Sequence, residues 1–221
     1  MLFVARVIKK ASSRRVPVQA RSKRRLESIL EAAASLFATA GFEQTTMESI
    51  AEAADTSIGS LYQFFPNKLA VFEAVADTCL ERSRSAFDTL FAGLAADGPQ
   101  VPWEPLVDLS VDAFAALNQQ DPAFRATFVN FQLYGVYEER DVALARYFAD
   151  RLAELLLTRA PQLDASKRAI VANTVVQTVS ALLFVSERAS AEERVGIMGE
   201  TKIMLRRYLA AYLPPSPGHR S

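Results

Sequence analysis

The chain has 221 residues, half of them hydrophobic, with 25 Lys and Arg balancing 25 Asp and Glu. That is enough apolar material for a large core in one or two domains, and a net charge of zero by itself argues nothing, for or against, about a nucleic-acid partner. A single cysteine, Cys79, and a single histidine, His219, leave no disulfide framework within the chain, no zinc cluster and no histidine base in the body for a nucleophile.

The charge is unevenly spread. Residues 1–25 hold nine of the 25 bases and none of the 25 acids, so the remaining 16 bases face 25 acids and the rest of the chain stands at −9. Residues 1–20, with Arg14-Arg15, Pro17 and several serines, make no helical face. They read as a basic, flexible arm able to neutralise phosphates or enter a minor groove, with a solvated tail as the alternative. The opening apolar run is broken by Arg6 and has no small-residue cleavage site, which speaks against a signal peptide. From Ser22 to Ala40, Leu26, Ile29, Leu30, Ala33, Leu36 and Phe37 recur at the spacing of a helix with one core face. Gly41 follows where a helix ends, and Phe42 packs inward.

Two short helices come next. Thr45 with Glu48 has the spacing of a capping box, and Met47, Ile50, Ala51 and Ala54 form a small apolar face. Asp55-Thr56-Ser57 interrupts it with residues that prefer caps and turns. Ser57 can cap a second helix whose inward stripe is Ile58, Leu61, Phe64 and Phe65. Pro66 stops that helix. Two short helices across such a turn form a helix-turn-helix, whose second helix reads the major groove. An ordinary helical hairpin in an all-α core fits the pattern equally well. The outward residues Ser57, Gly59, Ser60, Tyr62 and Gln63 are small and polar; hydroxyls suit base edges or phosphates, Gln suits adenine, and Gly59 leaves room for a close approach.

Asn67 to Ala96 reads as one long helix, ended by Gly93 and Asp97-Gly98-Pro99. Lys68 sits in its first turn against the helix dipole, a conflict that a bound phosphate would remove; a plain surface lysine is the alternative. Further helices are expected over Trp103–Asn118, over Pro122–Tyr134 behind the capping Asp121 and broken by Gly135, and over Glu138–Ala160, Ala165–Ala189 and Ala191–Tyr212. The tail PPSPGHRS, residues 214–221, reads as disordered. The longest apolar run, Ile170 to Val185, carries Asn173, Gln177 and hydroxyls and is expected to be too short and too polar to span a membrane. Phe124, Phe128, Phe131, Tyr134 and Tyr137 are either core or the wall of a ligand cavity, with Asn130, Gln132 and Tyr134 as its polar groups. The helix over Ala165–Ala189 is apolar nearly all round, so one side should face its own body and the other a partner.

The run GFEQTTMESIAEAADTSIGSLYQFFPNKLAVFEAV resembles the N-terminal domain of the tetracycline-repressor (TetR) family of transcriptional regulators. The match rests on Gly41-Phe42, Thr45-Thr46, Ile50-Ala51, Ala54, Ser57, Gly59, Leu61-Tyr62, Phe65 and Asn67-Lys68, and it is close from Arg21 to Val75. Leu69 departs from it, standing where an acidic residue usually follows the lysine. The resemblance implies an all-α fold of about nine helices: a three-helix domain with the helix-turn-helix at 21–66, and a ligand-binding and dimerisation body at 67–213. It implies a cytoplasmic, ligand-responsive regulator, most readily a repressor, held as a homodimer on a palindromic double-stranded DNA operator and released by a small apolar or aromatic effector. It needs no metal, cofactor, membrane or catalytic residue. An architectural DNA-binding protein with a filled body is the alternative, and an enclosed cavity is what separates the two. The residues expected to contact DNA are Arg25, Thr45, Thr46, Ser57, Ile58, Gly59, Ser60, Tyr62, Gln63 and Lys68. Those expected at the effector are Trp103, Phe114, Phe128, Phe131 and Tyr134. Those expected at a four-helix dimer interface are Val175, Thr178, Leu182, Met198, Thr201 and Leu205.

Overall fold

A computed structural model describes residues 15–96 and 101–214. Among them are ten α-helices, one 3-10 helix and no strand: α1 (Arg15–Thr39), α2 (Gly41–Gln44), α3 (Met47–Ala53), α4 (Ile58–Phe64), α5 (Lys68–Ala96), α6 (Glu104–Gln120), α7 (Pro122–Val129), the 3-10 segment Phe131–Val136, α8 (Glu138–Arg159), α9 (Ala165–Ser186) and α10 (Ala191–Ala210). Residues 1–14 of the expected arm, the Asp97-Gly98-Pro99 break and the tail from 215 lie outside the described residues.

Local chemistry sets the boundaries. Thr46, Ser57, Asp121, Asp164 and Ser190 each cap a helix by accepting a backbone N–H. The pattern placed several boundaries differently. Helix α1 begins at Arg15, not Ser22. The stretch after Gly41 coils into the short α2. The capping box of α3 is Thr46 with Ser49, not Thr45 with Glu48: Ser49 N donates to Thr46 Oγ1 at 3.1 Å and Thr46 N to Ser49 Oγ at 3.0 Å. Finally, α7 stops at Val129, well before Gly135, because the Asn130 side chain turns back to take Ala126 O at 2.7 Å.

The largest core does not stop at residue 66. Ile29, Phe37, Ile50 and Leu61 are fully buried with Val71, Phe72 and Val75 of α5 and Ala126 of α7. Each fully buried large side chain contributes about 1.5–3 kcal/mol relative to exposure. Phe37, Phe42 and Phe72 form a ring triad with centroids 5.5 to 5.8 Å apart. A second core joins α8, α9, α10 and Trp103, and a third joins Val111 of α6 to Leu183, Met198 and Leu205. Ion pairs fasten α10 to α6: Arg206 Nη1 to Asp108 Oδ2 at 2.7 Å and Lys202 Nζ to Asp112 Oδ1 at 2.5 Å.

Helix α9 contains an 18-residue window of mean hydropathy 1.7, which by length and composition alone could cross a membrane. In the fold it packs instead against α8 and α10.

Candidate nucleic-acid interface and effector cavity

The helix-turn-helix is held by its own backbone. Helix α3 ends at Ala54, and Asp55 follows at φ +48°, in the left-handed region. Thr56 N then donates to Ala51 O at 3.0 Å and Asp55 N to Glu52 O at 3.1 Å, the two bonds of a Schellman ending. Ser28 Oγ donates to Ala54 O at 3.2 Å and ties α1 to the turn. Across the turn, Ser57 Oγ accepts from Ser60 N at 3.2 Å and pairs with Ser60 Oγ at 2.9 Å. Leu61 and Phe65 seat α4 on the core, with Phe64 half-buried.

The outer face holds most of the expected residues. Arg25, Thr46, Ser57, Gly59, Tyr62 and Gln63 are exposed and Ser60 is half-buried. Ile58, read as part of the inward stripe, is 39 % exposed and lies with that outer face. Two members leave the set. Thr45 is buried, and its hydroxyl donates to Gly41 O at 2.8 Å. Lys68 is committed to the protein: its Nζ donates to Phe42 O at 2.6 Å and Thr45 O at 2.8 Å, and sits 4.3 Å from the Phe42 ring centroid. The cation neutralises carbonyls at the C-terminal end of α2, which have no intrahelical partner. Lys68→Ala is therefore expected to cost about 2 kcal/mol of stability. The salt slope of DNA binding should stay unchanged, where loss of a phosphate contact would lower it by about one unit. Thermal melts and a salt titration check the two parts.

Phe42 is gripped from the other side as well. Its N–H donates to Asn130 Oδ1 at 2.6 Å, while Asn130 Nδ2 donates to Phe37 O at 3.0 Å. Asn130, 1 % exposed, thus fixes the corner between α1 and α2 from the end of α7. Its carboxamide is spent here and is not a polar group of a cavity. Nothing in the spacing of Asn130 marked this role.

Asp121 both ends α6 and caps α7, so these helices meet with no loop. Its Oδ1 accepts from Ala123 N at 2.9 Å and its Oδ2 pairs with Arg82 Nη1 of α5 at 2.7 Å. On the far side of α6 lies a cavity of about 160 Å³ between α5, α6, α8, α9 and α10. Trp103 and Phe114, two of the residues expected at an effector, are in its lining, and so are Phe87, Phe91 and Phe148, which the sequence reading did not name among them. Phe87 lies flat between Phe91, at 4.0 Å, and Phe148, at 4.1 Å. Polar side chains in the lining are few: Ser110, Ser180 and Arg159.

Residues 29–75 match the model of bacterial regulatory proteins of the tetR family, and residues 102–209 match the tetracyclin repressor-like C-terminal domain. The chain belongs to the TetR family. An uncharacterized HTH-type transcriptional regulator of Bacillus subtilis is 36% identical over 64 residues, 29% of this chain and 34% of that protein. The HTH-type transcriptional repressor KstR of Rhodococcus jostii is 40% identical over 47 residues, 21% of this chain and 22% of that protein. The chain thus aligns with about a third and about a fifth of these two relatives. Over nearly full length it is similar to a TetR-family regulator from Streptomyces coelicolor, at 26% identity, 86% of this chain, 99% of that one and a TM-score of 0.59. Members of the family are DNA-binding transcriptional regulators, not enzymes.

The body of this TetR-family chain also corrects the aromatic stripe. Phe128, Phe131 and Tyr134 do not reach the cavity. Phe131, 45 % exposed, and Phe128 pack on Phe184 at 4.9 and 5.5 Å, beneath the Arg188 guanidinium. The Tyr134 hydroxyl donates to Asp141 Oδ2 at 3.0 Å, and burial, followed by the neighbouring Asp141 charge, pushes the phenol up to about 12. Helical phase was lost at Asn130, so residues beyond it no longer share the face assigned to them.

The expected dimer residues split in the same way. Met198, Thr201 and Leu205 are buried in the chain's own core, and Thr201 Oγ1 donates to Ile197 O at 2.7 Å. Val175, Thr178 and Leu182 are half-buried, and Val175 and Leu182 pack inward. The outward apolar side chains are Ile170 and Val185 on α9 and Val195, Ile203 and Met204 on α10. Val185 and Met204 share one shallow groove between those helices.

Proposed function

We propose that this chain is a ligand-responsive repressor. It holds a palindromic operator as a homodimer and leaves it when a small apolar or aromatic effector fills the cavity behind α6. The observation that carries the reading is the continuity from cavity to DNA-facing helices. Val111 and Phe114 of α6 face the cavity, α6 passes into α7 through Asp121 alone, and Asn130 at the end of α7 grips the corner that leads into α3 and α4. A tilt of α6 is thereby handed to the helix-turn-helix, and effector and operator affinities are linked reciprocally. The cavity favours this reading over an architectural protein with a filled body. The exposed faces of α9 and α10 supply the self-complementary surface that a reader of two half-sites needs. Footprinting of the dimer on DNA flanking its own gene tests it. Protection of two half-sites about one helical turn apart is the expected result, and uniform, sequence-independent coverage would overturn it.

Two substitutions on α4 separate affinity from specificity. A Cβ at Gly59 meets nothing within 4 Å in the free protein. Gly59→Val should therefore leave the melting temperature nearly unchanged while weakening operator binding, because the space is reserved for DNA. Gln63→Ala should relax preference at one base pair by about 1–3 kcal/mol, read by competition with operators varied one position at a time.

A further inference from the structure

We infer that the effector is a neutral molecule of about one aromatic ring, which rests on the effector reading above and narrows it. Size comes first. A cavity of about 160 Å³ matches the roughly 150 Å³ engineered hole that takes up benzene, and falls short of the roughly 300 Å³ or more typical of drug-sized pockets. A guest larger than the cavity has to displace its wall, part of which is the Phe91–Phe87–Phe148 stack with centroids 4.0 and 4.1 Å apart.

Charge comes second. No carboxylate lines the space, so a cation would lose its hydration with no counter-charge. Three of the four polar side chains around the wall are turned to the protein, the exposed Ser180 being the fourth. Ser110 Oγ donates to Leu106 O at 2.7 Å, Trp103 Nε1 to Pro214 O at 2.9 Å, and Arg159 Nη1 to Val101 O at 2.9 Å. An anion would have to draw Arg159, the one charged side chain of the lining, away from that carbonyl. Aromatic character follows from the wall: Phe87, Phe91, Phe114, Phe148 and Trp103 offer ring faces and edges to a guest ring, a preference beyond apolar area alone.

The chain has one tryptophan, Trp103, and it lines the cavity, so its emission reports occupancy directly. The full chain, alone and on its footprinted DNA, is titrated with toluene, benzoate, benzylamine and naphthalene. Trp103 emission, melting temperature and DNA occupancy are followed together. Toluene should change the emission saturably, raise the melting temperature and release the DNA. Benzoate and benzylamine should bind at least about tenfold more weakly, since each must desolvate an ion, and naphthalene should bind more weakly than toluene. Val179→Phe should fill the space and abolish the toluene response; Leu152→Phe serves if that protein does not fold. Tighter binding of benzoate or benzylamine overturns neutrality, tighter binding of naphthalene overturns the size limit, and no response to toluene overturns the class. Toluene that binds at Trp103 yet leaves the DNA occupied supports the chemical class and overturns the ligand-responsive reading instead.

Discussion

Asn130→Ala is expected to lower the melting temperature by roughly 6–12 °C. The substitution strands the Phe42 N–H and the Phe37 carbonyl, both served by the Asn130 carboxamide. The site is 1 % exposed, so water does not replace the lost partner. Leaving two buried polar groups unsatisfied costs about 3 kcal/mol in total, and a chain of this length loses about 2–4 °C per kcal/mol. Operator affinity should fall with it, because the corner between α1 and α2 sets where α3 and α4 sit. Melts must be compared at one protein concentration, since the proposed dimerisation would raise the apparent stability. A loss below 2 °C, or an operator affinity equal to the parent's, would show that the corner holds without this clasp.

The double variant Val185→Glu, Met204→Glu should run as a monomer in sedimentation and lose specific operator binding by about a thousandfold or more, the usual gap between specific and non-specific association. Both side chains are largely outside the chain's own core, 52 and 44 % exposed, and they line one groove. Two carboxylates on each subunit would be buried against their twins on association, which costs several kcal/mol per ion. The helical circular dichroism should stay that of the parent. A charge at Thr201 would not serve, because that residue is 1 % exposed and the variant would unfold before it dissociated. Persistence of the dimer would move the interface to another face.

How much of this was legible depended on the range of the interactions. Caps and turns act over three or four residues, so the helix-turn-helix and the exposed Ser57, Gly59, Tyr62 and Gln63 could be read from the sequence. Even there the box slid by one residue, from Thr45 to Thr46, because Thr45 is drawn inward to Gly41 O. Helical periodicity showed that α9 and α10 carry apolar residues on two sides, but not which side faces in. The choice was made by α6, which pulls Met198, Thr201 and Leu205 inward beside the Arg206–Asp108 and Lys202–Asp112 pairs. The cavity is tertiary throughout. Phe87, Phe91 and Phe148 lie on α5 and α8 and looked like ordinary core. Lys68 was placed correctly at the start of α5, but the carbonyls it serves belong to a helix that the pattern did not show.

The first core has a consequence for anyone who would give this regulator a new sensor. A graft cut where the second helix of the helix-turn-helix ends would fall at Pro66. That cut would sever Val71, Phe72 and Val75 from the residues they bury, and would leave Phe42 without either of its grips, Lys68 and Asn130. The smallest transplantable unit therefore includes the first half of α5 and all of α7. Since α7 has no slack ahead of it at Asp121, the donor's sensing wall must arrive already in phase with it. Compatibility between the halves of a hybrid is thus decided at Asp121 and Asn130, two positions outside both the exposed face of α4 and the cavity lining.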